Sequence, residues 1–155
     1  AEPDELLTAS PKVPGLDGRK MSKSYGNTIG LREDPDAVAA KLKTMQTDPA
    51  RVRRTDPGDP AKCPVWDLHK LYSSDETRQW VDQGCRSAGI GCLECKKPLI
   101  ERVVEEVTGM RQRAQEYEDN PDLVRGIIAE GCEKAREVAG QTLDDVKQAI
   151  GLVYR

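Results

Sequence analysis

Two groups of residues in this sequence have the types and spacing to do chemistry. The first is Lys20-Met21-Ser22-Lys23-Ser24, with Pro14-Gly15-Leu16-Asp17-Gly18-Arg19 before it and Tyr25-Gly26-Asn27 after it. Two ammonium groups three residues apart, with hydroxyls beside them and glycines on both sides, make a flexible cationic loop able to close around an oligophosphate. The bland alternative for any K-x-x-K is an exposed basic turn. The second group is Cys63, Cys85, Cys92 and Cys95, separated by 21, 6 and 2 residues. Cys92-Leu93-Glu94-Cys95 falls where a helix is expected to begin, and the dipole and free amides of a helix start favour thiolates. Four thiolates can hold zinc tetrahedrally or a [4Fe-4S] cluster, and the spacing does not choose between them. A third reading leaves them as small buried core residues, and Cys132, alone on an apolar helical face, is assigned to that class.

The elements that must position these groups read as helices. The chain has 155 residues, 37% hydrophobic and 33% charged, with no Phe, two Trp and four Tyr. Its core must therefore rest on Leu, Ile, Val, Ala and Met, which suits packed helices in one domain or a small domain with an appended segment. No apolar run approaches the roughly 18 residues that span a bilayer, and Ala1 to Leu7 lacks the order of a signal peptide, so a soluble cytosolic protein is expected. A net charge of -3 excludes a nucleic-acid binder of the strongly basic kind, and any RNA contact must be local. The five cysteines are too unevenly placed for a secreted disulfide scaffold.

Residues 1–30 are rich in Gly, Pro, Ser and Lys without a sustained period and are expected to be extended or mobile. Asp34-Pro35 then caps a helix with Val38, Leu42 and Met45 on one face, ended by Asp48-Pro49. Arg51 to Lys62 is a proline-rich structured loop. Val65, Leu68 and Tyr72 mark a short helix, and Trp80 lies in another that Gly84 or Gly89 should close. Leu99, Val103, Val107, Met110, Ala114 and Tyr117 predict one amphipathic helix over 96–118. Asn120-Pro121 opens the next, with Val124, Ile127, Ile128, Ala135 and Val138 as its buried face and Gly140 as its stop. Thr142 to Asp145 resembles a capping box that starts a final helix through Val146 and Ile150. No strand is expected.

Lys20 to Ser24 resembles the KMSKS signature of class I aminoacyl-tRNA synthetases, and Pro11 to Gly18 before it is similar to the tryptophanyl and tyrosyl members. By chance such a pentapeptide would occur in a chain this long about once in twenty thousand cases, so the basic-turn alternative is set aside. Thr47-Asp48-Pro49, Arg54-Thr55-Asp56-Pro57-Gly58-Asp59-Pro60 and Gly91-Cys92-Leu93-Glu94-Cys95-Lys96-Lys97 look tryptophanyl. The resemblance is to the C-terminal portion of the bacterial tryptophanyl family.

It implies an irregular loop segment over 1–33, from the edge of the catalytic domain, followed by a helical tRNA- and anticodon-binding domain over 34–155. It implies that Lys20, Met21, Ser22, Lys23 and Ser24 handle ATP phosphates, with Lys20 and Lys23 stabilising the departing pyrophosphate. Met21 would pack the loop down, and Gly15, Gly18 and Gly26 would let it move. ATP with magnesium, tryptophan and tRNA(Trp) are the implied cofactor, substrate and partner, in a homodimeric cytoplasmic enzyme that does not meet a membrane. A subset of the family carries a [4Fe-4S] cluster on a C-x22-C-x6-C-x2-C motif, which Cys63, Cys85, Cys92 and Cys95 match except for one residue in the first interval. Lys41, Lys43, Arg51, Arg53 and Arg54, with Lys96, Lys97, Arg111 and Arg113, are candidates to meet RNA or simply to solvate a surface. His69 is expected to be a packed or surface histidine.

The family's two-histidine signature and nucleotide-binding domain are not found in the sequence, so the chain alone is expected not to form aminoacyl-adenylate, and residues before about Leu31 are expected to be loosely held. A free-standing RNA- or metal-binding module is the alternative from another class, and a tyrosyl fragment the alternative within the family.

Overall fold

The computed structural model describes residues 2–7 and 11–152. Positions 1 and 8–10 of the expected extended segment, and 153–155, lie outside the described residues. Five α-helices stand among the described residues: α1 Pro35–Thr44, α2 Pro64–Tyr72, α3 Asp75–Arg86, α4 Cys92–Asp119 and α5 Pro121–Ala149. The only pairing of extended backbone among the described residues is an isolated antiparallel bridge between Pro14 and Lys20, so the mainly helical expectation is met. The chain divides into two compact units, 1–112 and 113–155, and α4 runs from one into the other.

In the first unit, local chemistry sets each helix start. Asp34 accepts from the amides of Asp36 and Ala37 at 3.0 and 3.3 Å, and Pro35 supplies a first-turn residue with no amide to leave unsatisfied. Ser74 caps α3 by accepting from Thr77 N–H. The apolar faces that follow converge: Val38, Leu42 and Met45 meet Val65 and Leu68 of α2 and Leu99, Val103 and Val107 of α4 in one cluster. Leu99 is almost wholly enclosed, and changing it to Ala should destabilise the fold by about 2–5 kcal/mol in denaturant titration. A loss under about 1 kcal/mol would place the centre of the core elsewhere.

Lys96 shares the buried face of α4 with Leu99 and is only 4% exposed. Its Nζ donates to the carbonyls of Lys43 and Met45, at 2.8 and 2.5 Å, closing the C-terminal end of α1 with a cation where the helix dipole favours one. Lys96 therefore belongs to the architecture and is not available to RNA. Arg51 is likewise buried and engaged, which removes two of the basic residues expected at the surface.

Several boundaries differ from the expectation. Helix α1 stops at Thr44, before Asp48. Asp48 instead stitches the proline-rich loop, accepting from the amides of Ala50 and Asp59. Helix α3 contains Gly84, and Ala88 rather than a glycine takes the left-handed conformation after it, φ 55°. Helix α4 begins at Cys92 and holds Pro98 inside it.

In the second unit, α5 is one helix where two were expected. Gly140 stays helical, and the hydroxyl of Thr142 donates back to the carbonyl of Val138 at 3.0 Å rather than capping a new start. A helical glycine costs about 1 kcal/mol, too little to end a helix of this length. No residue of α5 is buried: Ile127, Ile128 and Val138 are exposed, and Cys132, expected in a core, is exposed as well.

Candidate functional site

The loop that carries Lys20 to Ser24 is built on a short, tightly bonded base. Met21 N–H donates to Val13 at 3.0 Å, Gly15 N–H to Arg19 at 2.7 Å, and Leu16 N–H to the carbonyl of Asn27 at 3.0 Å. Gln46 N–H, just beyond α1, donates to Leu16 at 2.9 Å and ties this base to the helices. Leu16 and Ile29 pack on the hydrophobic core. Residues 11–31 are therefore bonded and partly buried where a loosely held segment was expected, because the loop has packing partners inside this chain. Met21 lines an apolar cavity of about 210 Å³ with Val13, Leu31, Tyr72, Val107 and Met110, in keeping with a side chain that packs the loop down.

Asn27 lies at the centre, 3% exposed. Its Nδ2 donates to Asp17 Oδ1 at 2.7 Å and to the carbonyl of Lys20 at 3.2 Å, and its Oδ1 accepts from Ser22 N–H at 2.8 Å. A Cβ on residue 15 would stand 2.2 Å from Asn27 Nδ2, so Gly15 is required by this contact rather than by loop motion. The Asn27 amide, ahead of Arg19, holds the Asp17 carboxyl down at about 2. Arg19 bonds Asp17 and lies 4.3 Å above the ring of Tyr25. After Lys23 a single 3-10 turn closes with Gly26 in the left-handed region, φ 64°, and Ser22 and Ser24 share a hydrogen bond between hydroxyls. The outcome is that Arg19 is engaged, whereas Lys20 and Lys23 are exposed and bear no ion pair among the described residues. Two free ammonium groups on a fixed base suit an oligophosphate.

The four cysteines come from three helix ends: Cys63 immediately before α2, Cys85 in the last turn of α3, Cys92 and Cys95 in the first turn of α4. Burial raises the thiols of Cys63, Cys85 and Cys95, the last to about 12, and in each case the charge of at least one other member of the set adds to the rise. The set therefore stands near enough together to bear on the ionisation of Cys63, Cys85 and Cys95. Yet among the described residues no three His, Cys, Asp or Glu side chains stand close enough together to hold a single metal ion. A tetrahedral zinc, with Zn–S about 2.3 Å, would need sulfurs within about 4 Å of each other.

A buried guanidinium, a glycine and a histidine stand beside the thiols. Arg51 Nη1 lies 3.8 Å from Cys85 Sγ, its Nη2 donates to the carbonyls of Arg54 and Ile90, and its Nε is buried without a partner. A Cβ on residue 58 would come within 2.6 Å of Cys85 Sγ, so Gly58 leaves the sulfur room. His69 is enclosed, its Nδ1 paired with Ser73 Oγ at 2.7 Å and its Nε2 3.5 Å from Cys95 Sγ. Burial pulls the His69 pKa down to about 4, so it is a neutral packed residue at pH 7. The sequence by itself does not single out Asn27 or Gly58 and gives Arg51 only as a surface charge; the only signal was their position near the two motifs.

Lys41 is tied to Glu33 and to the carbonyl of Thr28, and Arg54 to Glu94. Arg53, Arg54, Val52 and Leu93 line an open depression of about 420 Å³ beside Cys92.

Comparison with known proteins places these features in one family. Residues 2–108 match the family model described as tRNA synthetases class I (W and Y). The chain is 60% identical over 153 residues to a tryptophan–tRNA ligase of Ralstonia nicotianae, which covers 99% of this chain and 38% of that protein. It is 44% identical to the tryptophan–tRNA ligase of Thermotoga maritima, over 99% of this chain and 47% of that protein. A tryptophanyl-tRNA synthetase structure from Campylobacter jejuni, in complex with ADP and tryptophan, superimposes with a TM-score of 0.73 at 27% identity, over 90% of this chain and 43% of that one. The chain thus spans less than half the length of these relatives. With the family model matching more than half its residues, this chain belongs to the class I tRNA synthetases of the tryptophan and tyrosine group.

Proposed function

We propose that the chain is the C-terminal part of a tryptophan–tRNA ligase, an enzyme that activates tryptophan with ATP and magnesium and transfers it to tRNA(Trp). What carries the reading is one observation: Lys20 and Lys23 project exposed, with no ion pair among the described residues, from a hydrogen-bonded loop base, in a chain whose relatives over 99% of its length are tryptophan–tRNA ligases. As the tryptophan carboxylate attacks the α-phosphorus, negative charge accumulates on the β- and γ-phosphates of the leaving pyrophosphate. Cations that meet that charge more closely in the transition state than in bound ATP raise turnover. Ser22 and Ser24 supply hydroxyl donors beside the same phosphates, and Met21 anchors the loop. The whole protein works as a cytoplasmic homodimer.

The helices after Glu33 form the tRNA-binding part in this reading, with Lys43, Arg53, Lys97 and Arg113 as the basic candidates that bear no ion pair among the described residues, and Arg54 held by Glu94. Cys63, Cys85, Cys92 and Cys95 hold a [4Fe-4S] cluster in this reading, which is supported by four thiols drawn from three helix ends and by the buried cation Arg51 beside Cys85. Bound there, the cluster supplies a structural cross-link and fixed charge. The chain's own contribution is to bring the start of α2, the end of α3 and the start of α4 to one place.

The test is charging by the whole protein. It should load tryptophan onto tRNA(Trp) and lose at least about tenfold in kcat/KM on a transcript with an altered anticodon, unpaired bases being read by stacking and edge hydrogen bonds. Equal charging of both transcripts would remove anticodon reading from the helical part. Binding without charging would favour a non-catalytic RNA-binding module.

A further inference from the structure

We infer that Asn27 is the positioning residue of the phosphate loop, holding the peptide groups of Lys20 and Ser22 so that the two lysines face one phosphate chain. The inference rests on the reading that Lys20 and Lys23 meet ATP phosphates, and it adds a residue that touches no substrate.

The geometry is specific to a carboxamide. Asn27 Nδ2 donates to Lys20 O and Asp17 Oδ1, while Oδ1 accepts from Ser22 N–H. The two backbone groups bracket Met21, so one side chain sets the path of the chain between the two lysines. Its own carbonyl accepts from Leu16 N–H, which fixes Asn27 to the segment before the loop, and Gln46 fixes that segment to the helices. Buried polar groups of this kind are costly to leave unpaired, and Gly15 keeps the space the carboxamide occupies. No other side chain bonds the backbone of Lys20 or Ser22 among the described residues. Loop cations held within a fraction of an ångström of the developing charge are worth far more than the same cations on a floppy turn.

An aspartate at 27 could still accept from Ser22 N–H. It would then set a carboxylate against the Asp17 carboxylate, now 2.7 Å from Nδ2, and against the Lys20 carbonyl. The charged groups facing position 27 are Asp17 and, behind it, Arg19. Exchanging the two partners, Asp17→Asn together with Asn27→Asp, restores a donor opposite the new acceptor, while the 3.2 Å bond to Lys20 stays unmade and the bonds from Arg19 N–H and its guanidinium to the Asp17 carboxylate are reduced to what a neutral carboxamide can accept.

The experiment compares the whole protein with its Asn27→Ala, Asn27→Asp and Asp17→Asn/Asn27→Asp forms. The readouts are tryptophan-dependent ATP–pyrophosphate exchange, thermal unfolding, and hydrogen exchange at the Ser22 amide. Asn27→Ala should lower kcat about tenfold or more with KM for tryptophan little changed, since misplacement of catalytic groups is felt in the chemical step. The Ser22 amide should exchange faster, Asn27→Asp should be worse still, and the double exchange should recover at least threefold over Asn27→Asp alone. The inference is overturned if either single variant keeps kcat within twofold. It is equally overturned if turnover and unfolding temperature fall and KM rises together with no recovery in the double form, which is the pattern of a merely structural residue. A parent protein with no exchange activity overturns the phosphate-loop reading itself, and this inference with it.

Discussion

Changing Lys23 to Ala in the whole protein should lower tryptophan-dependent pyrophosphate exchange about a hundredfold in kcat, equivalent to about 2.7 kcal/mol of transition-state stabilisation, while KM for ATP should move by less than about threefold. The asymmetry follows from where the ammonium group sits. Lys23 is exposed and bears no ion pair among the described residues, and its side chain is no part of the core, so removal should leave the fold as it was. Ground-state ATP retains its other contacts, and what is lost is attraction for charge that exists only as the phosphate bond breaks. Lys23→Arg should restore only part of the rate, because a planar guanidinium cannot occupy the place of a compact ammonium. Steady-state exchange at varied ATP decides the matter. A variant with unchanged kcat and a large rise in KM would mean that Lys23 simply binds ATP.

The second large effect falls at the cysteines. Anaerobically purified protein should be brown and contain iron and sulfide, and Cys92→Ser should be pale and iron-poor. The same change should weaken tRNA(Trp) binding about tenfold, or about 1.4 kcal/mol, while adenylate formation stays near the parent level. The reasoning is structural. Cys92 and Cys95 open α4, and the depression beside them is lined by Arg53 and Arg54. A cross-link from this helix start to Cys63 and Cys85 pre-places those guanidinium groups and reduces the ordering that binding would otherwise require. Colourless protein with one zinc would replace the cluster with a single ion and require the thiols to draw closer together than they stand. Parallel losses in tRNA binding and adenylate formation would mean that the cysteines merely hold the fold together.

How much of this was legible in the sequence depends on the range of the forces involved. Val38, Leu42 and Met45 on one face of α1, and Leu99, Val103 and Val107 on α4, were readable because a helical face repeats locally and those faces found partners. The same periodicity in α5 predicted a buried stripe that the structure leaves exposed, since periodicity says which side is apolar and not whether anything covers it. Gly140 and Thr142 read as a stop and a start, but inside a helix of 29 residues a glycine is tolerated and a threonine hydroxyl can satisfy itself on the preceding turn.

The candidate site shows the same division. Lys20 and Lys23 were visible as a motif, and Cys63, Cys85, Cys92 and Cys95 as a set. Asn27 was not, because its role depends on a notch made twelve residues earlier by Gly15 and on a carboxylate at Asp17. Lys96 and Arg51 looked like surface charge, and only the fold reveals that carbonyls of Lys43, Met45, Arg54 and Ile90 enclose them. Long-range pairing of buried charge leaves no spacing rule behind it.

The most direct test is ATP–pyrophosphate exchange by the whole protein, measured with tryptophan and with tyrosine as the only amino acid. The account predicts exchange with tryptophan and none above background with tyrosine. Exchange driven by tyrosine, or by neither amino acid in a protein that is folded and binds ATP, would contradict it.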